Sequence, residues 1–160
     1  MSLTIGAPAP QFCLNNQEGI QVASQDFSHS WLVVYFYPKA STPGCTVQAC
    51  GLRDSYENLL RKGVHCVGIS PDPVAKLKKF HSASELNFPL LSDTDHAVAE
   101  LFGVWSLKKF MGKTFMGVVR TTFVIDPNGN LAAILDDFKT SNHHQVLLAC
   151  LERLQSANKP

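Results

Sequence analysis

Residues 31–37 (WLVVYFY) form an unbroken run of apolar, aromatic and β-branched side chains, stopped by Pro38. A run without polar alternation suits a strand covered on both faces, as inside a parallel or mixed sheet. Val64–Ser70 (VHCVGIS) and Thr121–Ile125 read the same way, and the turn Asp126-Pro127-Asn128-Gly129 leads into a further strand over Leu131–Leu135. Between these runs the apolar spacing becomes helical. Thr42 and Pro43 open a helix that continues to about Lys62, ahead of Gly63. Asp72 as N-cap and Pro73 in the first turn open a second, running to about His81. A third spans about 95–102 and is closed by Gly103. A fourth covers about 142–154, with Leu147, Cys150, Leu151 and Leu154 in one stripe. Strands alternating with helices early and a hairpin late predict an α/β protein with a mixed central sheet flanked by helices, an order compatible with a thioredoxin-like fold. No repeat or linker divides residues 1–160, so a single domain is expected.

Composition narrows the function classes. Hydrophobic residues make up 45% and charged residues 17% of 160, with a formal charge of +1. That balance gives no reason to expect nucleic acid as a partner, which calls for a clustered basic face. The densest basic stretch, 108–113, holds three lysines around Phe110 and Met111 and reads as a solvated loop. No run is long enough to span a membrane. Residues 1–12 lack a basic start followed by an apolar run, so no membrane partner and a cytoplasmic location are expected. Structural disulfides are rare there, and five cysteines need another account.

One segment concentrates that account. With Thr42 as N-cap and Pro43 at the first helical position, Gly44 is second and Cys45 third. The thiol then sits where backbone N–H groups lack helical partners and the helix dipole is positive. Both favour thiolate over thiol, so a lowered pKa is expected. Gly44 leaves backbone that a small ligand can approach closely. Cys50 lies five helical steps on, with Cα atoms roughly 8 Å apart and side chains rotated by about 140°. A disulfide needs Cα atoms within about 7 Å and converging Cβ vectors, so an intact helix cannot hold this one. Packing is the alternative reading for Cys50. A zinc site is disfavoured, because no second cysteine pair or histidine pair at ligand spacing accompanies it. Cys13, Cys66 and Cys150 read as packing residues, and His143 with His144 as a polar pair at a helix start.

Pro38-x-x-x-Thr42-x-x-Cys45 resembles the peroxiredoxin active-site signature, and the longer run YFYPKASTPGCTVQACGLRD is similar to the Q-type, or bacterioferritin comigratory protein, subgroup. FGVW (102–105), FMGK (110–113) and DDFKTSNHH (136–144) extend the likeness over nearly the whole chain. The resemblance implies a thioredoxin-like fold and thiol-dependent reduction of hydrogen peroxide and organic hydroperoxides, with no cofactor and no metal. It implies Cys45 as the peroxidatic cysteine, Thr42 as the hydroxyl that bonds the peroxide, Pro38 as the residue shielding the site, and Arg120 as the arginine beside the sulfur. Cys50 matches the resolving cysteine of members that carry both on one helix. The implied reductant is thioredoxin, with glutaredoxin as an alternative, and the subgroup leans towards a monomer.

Ionisation alone does not make a peroxidase. A thiol of pKa near 8.5 is about 3% thiolate at pH 7 and one near 6 about 90%, a gain of roughly 2 kcal/mol in barrier. The larger share is expected from aligning the O–O bond and stabilising the leaving oxygen, for which Thr42, the Gly44 and Cys45 amides and Arg120 are suited. A rival enzyme, a thiol–disulfide oxidoreductase, would want C-x-x-C at the helix start rather than C-x-x-x-x-C. A non-enzymatic redox sensor or thiol-based chaperone is the rival of another class.

Overall fold

The computed structural model describes residues 3–157. Among the described residues, nine strands and four α-helices run in the order β1 (Cys13–Asn16), β2 (Gln21–Ala23), β3 (Trp31–Phe36), α1 (Pro43–Arg61), β4 (Val64–Ser70), α2 (Val74–Ala83), β5 (Leu90–Ser92), α3 (Ala97–Leu101), β6 (Trp105–Phe110), β7 (Lys113–Val118), β8 (Thr121–Ile125), β9 (Leu131–Leu135) and α4 (His143–Ala157). Seven strands form one mixed sheet in the order β2-β1-β5-β4-β3-β8-β9, while β6 and β7 form a separate hairpin. Strand β3 pairs in parallel with β4 and antiparallel with β8, which places it in the interior of the sheet.

The apolar runs are central because both of their faces are covered. Along β3, Trp31, Val33 and Tyr35 enter one core with Ala49, Leu52 and Leu59 of α1, Leu77 of α2 and Leu147 and Leu151 of α4. Leu32, Val34 and Phe36 enter the other, with Val98 and Ala99 of α3, Phe102 and Phe123. All six β3 residues are buried. Each large aliphatic or aromatic side chain withdrawn from water in this way contributes about 1.5–3 kcal/mol before entropy is counted. Tyr35 needs room as well. A Cβ on Gly68 of the neighbouring strand would lie 2.8 Å from its ring, so only glycine fits there.

The strands over Val64–Ser70, Thr121–Ile125 and Leu131–Leu135 have the predicted limits. Three expectations change. Asp72 does not cap α2, whose N-cap is Pro73 without a side-chain bond. Asp72 is instead buried, and its carboxylate accepts the Ala40 N–H at 2.7 Å and the Ser70 hydroxyl at 2.8 Å. That clips the loop before α1 to the end of β4. The basic stretch 108–113 is not a loop but the tip of the β6–β7 hairpin, turning through Met111 and Gly112 at φ 51° and 78°. Cys13 is exposed on β1 rather than packed, whereas Cys66 and Cys150 are buried.

Candidate active site

The site lies where β3 ends and α1 begins, beside the entry to β8. Chain reversal after β3 uses Ser41 in the left-handed region, at φ 63°. Thr42 is then the N-cap and Pro43 the first residue of α1, as the capping pattern predicted. The cap itself differs. The Thr42 hydroxyl makes no bond to the helix and donates to the Lys39 carbonyl at 2.8 Å. Its oxygen lone pairs therefore remain able to accept a proton donor. The first turn is held by the Thr46 N–H and Thr46 hydroxyl, which both give bonds to the Thr42 carbonyl, at 2.9 and 2.8 Å.

Cys45 is buried, at 1% exposure, with its thiol free. Arg120, just ahead of β8, directs Nη2 to Cys45 Sγ at 3.4 Å across 75 residues of sequence. Its Nη1 donates to Gln48 Oε1. Gln48, at 1% exposure, lies one helical turn after Cys45 on the same face of α1, so one guanidinium is shared between the sulfur and a buried carboxamide. A Cβ built on Gly44 would sit 3.6 Å from the Thr140 methyl and 3.7 Å from Arg120 Nη2. Thr140 and Arg120 thus close over the bare backbone of the first turn. Pro38 is half-buried ahead of the loop. The structure brings together Cys45, Gly44 and Arg120; Thr42 is the N-cap of the same turn.

Cys50 lies apart from this cluster. It is half-buried and unbonded within an uninterrupted α1. Gly51 beside it permits a close approach of α4, since a Cβ there would lie 2.6 Å from His144 Nδ1.

Gln48, Thr140, Asp72 and His143 were not singled out for these places. The i, i+3 relation to Cys45 marks Gln48 in the sequence, whereas no local pattern marks Thr140. His143 departs furthest from expectation. The pair at the start of α4 is not simply polar surface, because His143 is fully buried with its Nε2 bonded to the Thr122 hydroxyl at 2.7 Å. Its ring also packs 4.5 Å from Phe138 and 5.9 Å from Tyr35.

Burial first, and then the neighbouring Arg120 guanidinium and His144 ring, hold the His143 pKa down to about 3. The imidazole is therefore neutral at pH 7 and does not repel the guanidinium. The phenols of Tyr35 and Tyr37, stacked at 5.4 Å, are pushed well up by burial and add no negative charge near the sulfur. On the hairpin, Lys108 donates to the Val118 carbonyl at 2.9 Å. Burial, then Arg120, lowers its pKa, and the Cys45 sulfur acts in the opposite sense.

The depressed histidine gives a pH dependence with a definite sign. The unfolded chain protonates His143 near 6.5, while the folded chain resists until about 3. Below about 6.5 the unfolded state binds the extra proton, so this contribution is complete above that pH and is lost as pH falls through the window. The steepest loss is about 1.4 kcal/mol per pH unit. His143→Gln is expected to flatten the decline in urea-unfolding free energy between pH 7 and about pH 5 by roughly 1–2 kcal/mol. Parallel declines in parent and variant would assign the proton uptake elsewhere.

Among the described residues, no group of three His, Cys, Asp or Glu side chains is arranged to hold a metal ion, and no helix is long and apolar enough to cross a membrane. Two clefts, one beside the Asp126–Asn130 turn and one between α1 and α4, do not include Cys45. The chemistry, not a deep cavity, defines the site.

Residues 5–134 match the AhpC/TSA family. Over 150 residues the chain is 54% identical to peroxiredoxin Bcp of Escherichia coli K12, covering 94% of this chain and 96% of that protein. A putative peroxiredoxin of Mycobacterium tuberculosis H37Rv is 44% identical over 141 residues, or 88% of this chain and 90% of the relative. Among solved structures, peroxidoxin BcpB of M. tuberculosis superposes with a TM-score of 0.83 at 36% identity, covering 95% of this chain and 98% of that one. The bacterioferritin comigratory protein of Xanthomonas campestris, studied for its alkyl peroxide reduction activity, gives a TM-score of 0.86 at 29% identity, covering 94% and 99% of the two chains. These similarities, with a buried thiol and an arginine in contact at the start of α1 on a thioredoxin-like fold, show that the chain belongs to the AhpC/TSA family and is a peroxiredoxin, an enzyme that reduces peroxides with a cysteine thiol.

Proposed function

We propose that Cys45 is the peroxidatic cysteine and Cys50 its resolving partner, in a catalytic cycle completed by thioredoxin. The observation that carries this reading is the 3.4 Å contact between Arg120 Nη2 and Cys45 Sγ at the opening of α1. In the first step the Cys45 thiolate attacks the nearer peroxide oxygen. The S–O bond forms as the O–O bond breaks, the sulfur is oxidised to sulfenic acid, and the leaving oxygen takes up a proton to give water or an alcohol. Arg120 and the Gly44 and Cys45 amides face the charge that develops on that oxygen. The Thr42 oxygen, its own proton given to Lys39, accepts the peroxide O–H, and Pro38 shields the turn from water.

In the second step the Cys50 thiol condenses with the sulfenic acid, releasing water and forming a disulfide. Helix α1 runs unbroken through both residues, so its first turns must unwind. Unwinding takes Cys45 away from Arg120 and disturbs the close approach of Gly51 and His144. An external dithiol then exchanges with the disulfide and restores both thiols. The protein acts as a monomer of one domain in the cytoplasm, on this reading.

Cys50→Ser tests the second half of the cycle. Peroxide is expected to yield one sulfenic acid equivalent per chain, detected with a trapping carbon nucleophile. NADPH consumption through thioredoxin and its reductase is expected to fall to background. Cycling at the parent rate would remove Cys50 from the mechanism.

A further inference from the structure

Between residues 101 and 125 the chain carries Lys108, Lys109, Lys113 and Arg120 and no aspartate or glutamate. Most of that segment is the β6–β7 hairpin, which stands outside the seven-stranded sheet. Leu107 pairs with Met116 on one face, and Lys108 with Phe115 and Phe110 with Lys113 on the other. Leu107, Phe110, Phe115 and Met116 are all exposed, and Met111 at the turn reaches 86%. Scattered single apolar residues are ordinary on a surface, but five on one two-stranded element are not. The turn sharpens the point. With positive φ at both Met111 and Gly112, the first position favours asparagine, aspartate or glycine on conformational grounds, and solvation there favours a polar residue too. Methionine satisfies neither preference.

We propose that the β6–β7 hairpin is a reversible membrane-docking blade, seated in the headgroup region of an anionic lipid bilayer. Charge complementarity gives the sign of the surface: Lys109 and Lys113 are exposed beside the apolar tip, with no acidic residue on the hairpin. The geometry favours lipid over protein. Apolar side chains emerge from both faces of the blade, and a protein docked against one face leaves the other in water. A lipid interface surrounds both. Such an element is invisible to a search for membrane spans, because it lies in the interface rather than crossing it. Strand β7 leads from the tip straight back to Val118, two residues before Arg120, so docking holds the thiol within about a strand's length, ~17–20 Å, of the surface. The proposal does not depend on the roles given to Cys45 and Cys50.

Flotation of the full chain with vesicles of equal parts phosphatidylcholine and phosphatidylglycerol tests it. At low salt most of the protein is expected to float with these vesicles, far less with pure phosphatidylcholine, and less again as salt is raised. The double variant Phe110→Ser, Met111→Ser is expected to lower the bound fraction by on the order of tenfold while keeping the urea midpoint and the hydrogen peroxide rate in solution. A parent protein that stays with the soluble fraction at low salt overturns the proposal, as does a double variant that floats like the parent. Unchanged flotation with a raised KM for a protein reductant would assign the blade to a protein partner and overturn it equally.

Discussion

Replacing Cys45 with serine is expected to lower peroxide turnover by at least about 10⁴-fold, more than about 5 kcal/mol of barrier. The fold should survive, since the exchange is nearly isosteric and Arg120 keeps its bond to Gln48. What is lost is the atom that accepts the peroxide oxygen. A hydroxyl in the same first turn is a far weaker acid and nucleophile, and it has no oxidised form that a thiol can reduce. The four remaining cysteines cannot substitute. Burial pushes the Cys66 thiol well up and raises Cys150 as well, which leaves both protonated. Cys13 is exposed on β1, away from the start of α1, and Cys50 is half-buried beyond the Arg120 contact. Stopped-flow consumption of hydrogen peroxide by the prereduced variant, with urea unfolding alongside, measures both quantities. A rate within about tenfold of the parent, with the fold intact, would move the chemistry to another sulfur.

The parts of this molecule legible in the sequence are those where one local pattern has one physical solution. Continuous apolar runs gave β3, β4 and β8 because a strand covered on both sides has no polar face to disguise it. Thr42-Pro43 located the start of α1, although the hydroxyl turned to Lys39 instead of the helix. Beyond these, long-range pairing decided the structure. Strands β1, β2 and β5 are four, three and three residues long and exist through their partners, not through periodicity. The β6–β7 hairpin was hidden by lysines that break its alternation and by a methionine where a turn residue is expected. Local pattern assigns Asp72 and His143 to helix starts, but each is drawn inward by a tertiary partner, Ala40 N–H in one case and the Thr122 hydroxyl in the other. At the site, Cys45 followed from local chemistry. Arg120 followed from family resemblance alone, because nothing near residue 120 in the sequence indicates a thiol 75 residues away. Gln48 needed only helical geometry, and Thr140 needed the structure.

Arg120→Lys is expected to slow the peroxide step by about 10²–10³-fold, in the range found for removal of one preorganised charge-stabilising group. The guanidinium makes two contacts in fixed relation, Nη2 to Cys45 Sγ and Nη1 to Gln48 Oε1. An ammonium is a compact point charge on a flexible stem and cannot reproduce that fork. If it turns to the Gln48 oxygen, the sulfur and the leaving oxygen lose their cation; if it turns to the sulfur, a carboxamide at 1% exposure is left without its donor. The second arrangement costs about 1–3 kcal/mol of stability. The first costs almost none, so Gln48 is expected to claim the lysine and leave the kinetic loss to dominate. Rapid-mixing measurement of Cys45 oxidation, compared with urea unfolding of the same variant, separates the two outcomes. A peroxide rate within about threefold of the parent, which is under about 1 kcal/mol of barrier, would mean that the arginine is a packing neighbour of the thiol and that the charge on the departing oxygen is met elsewhere.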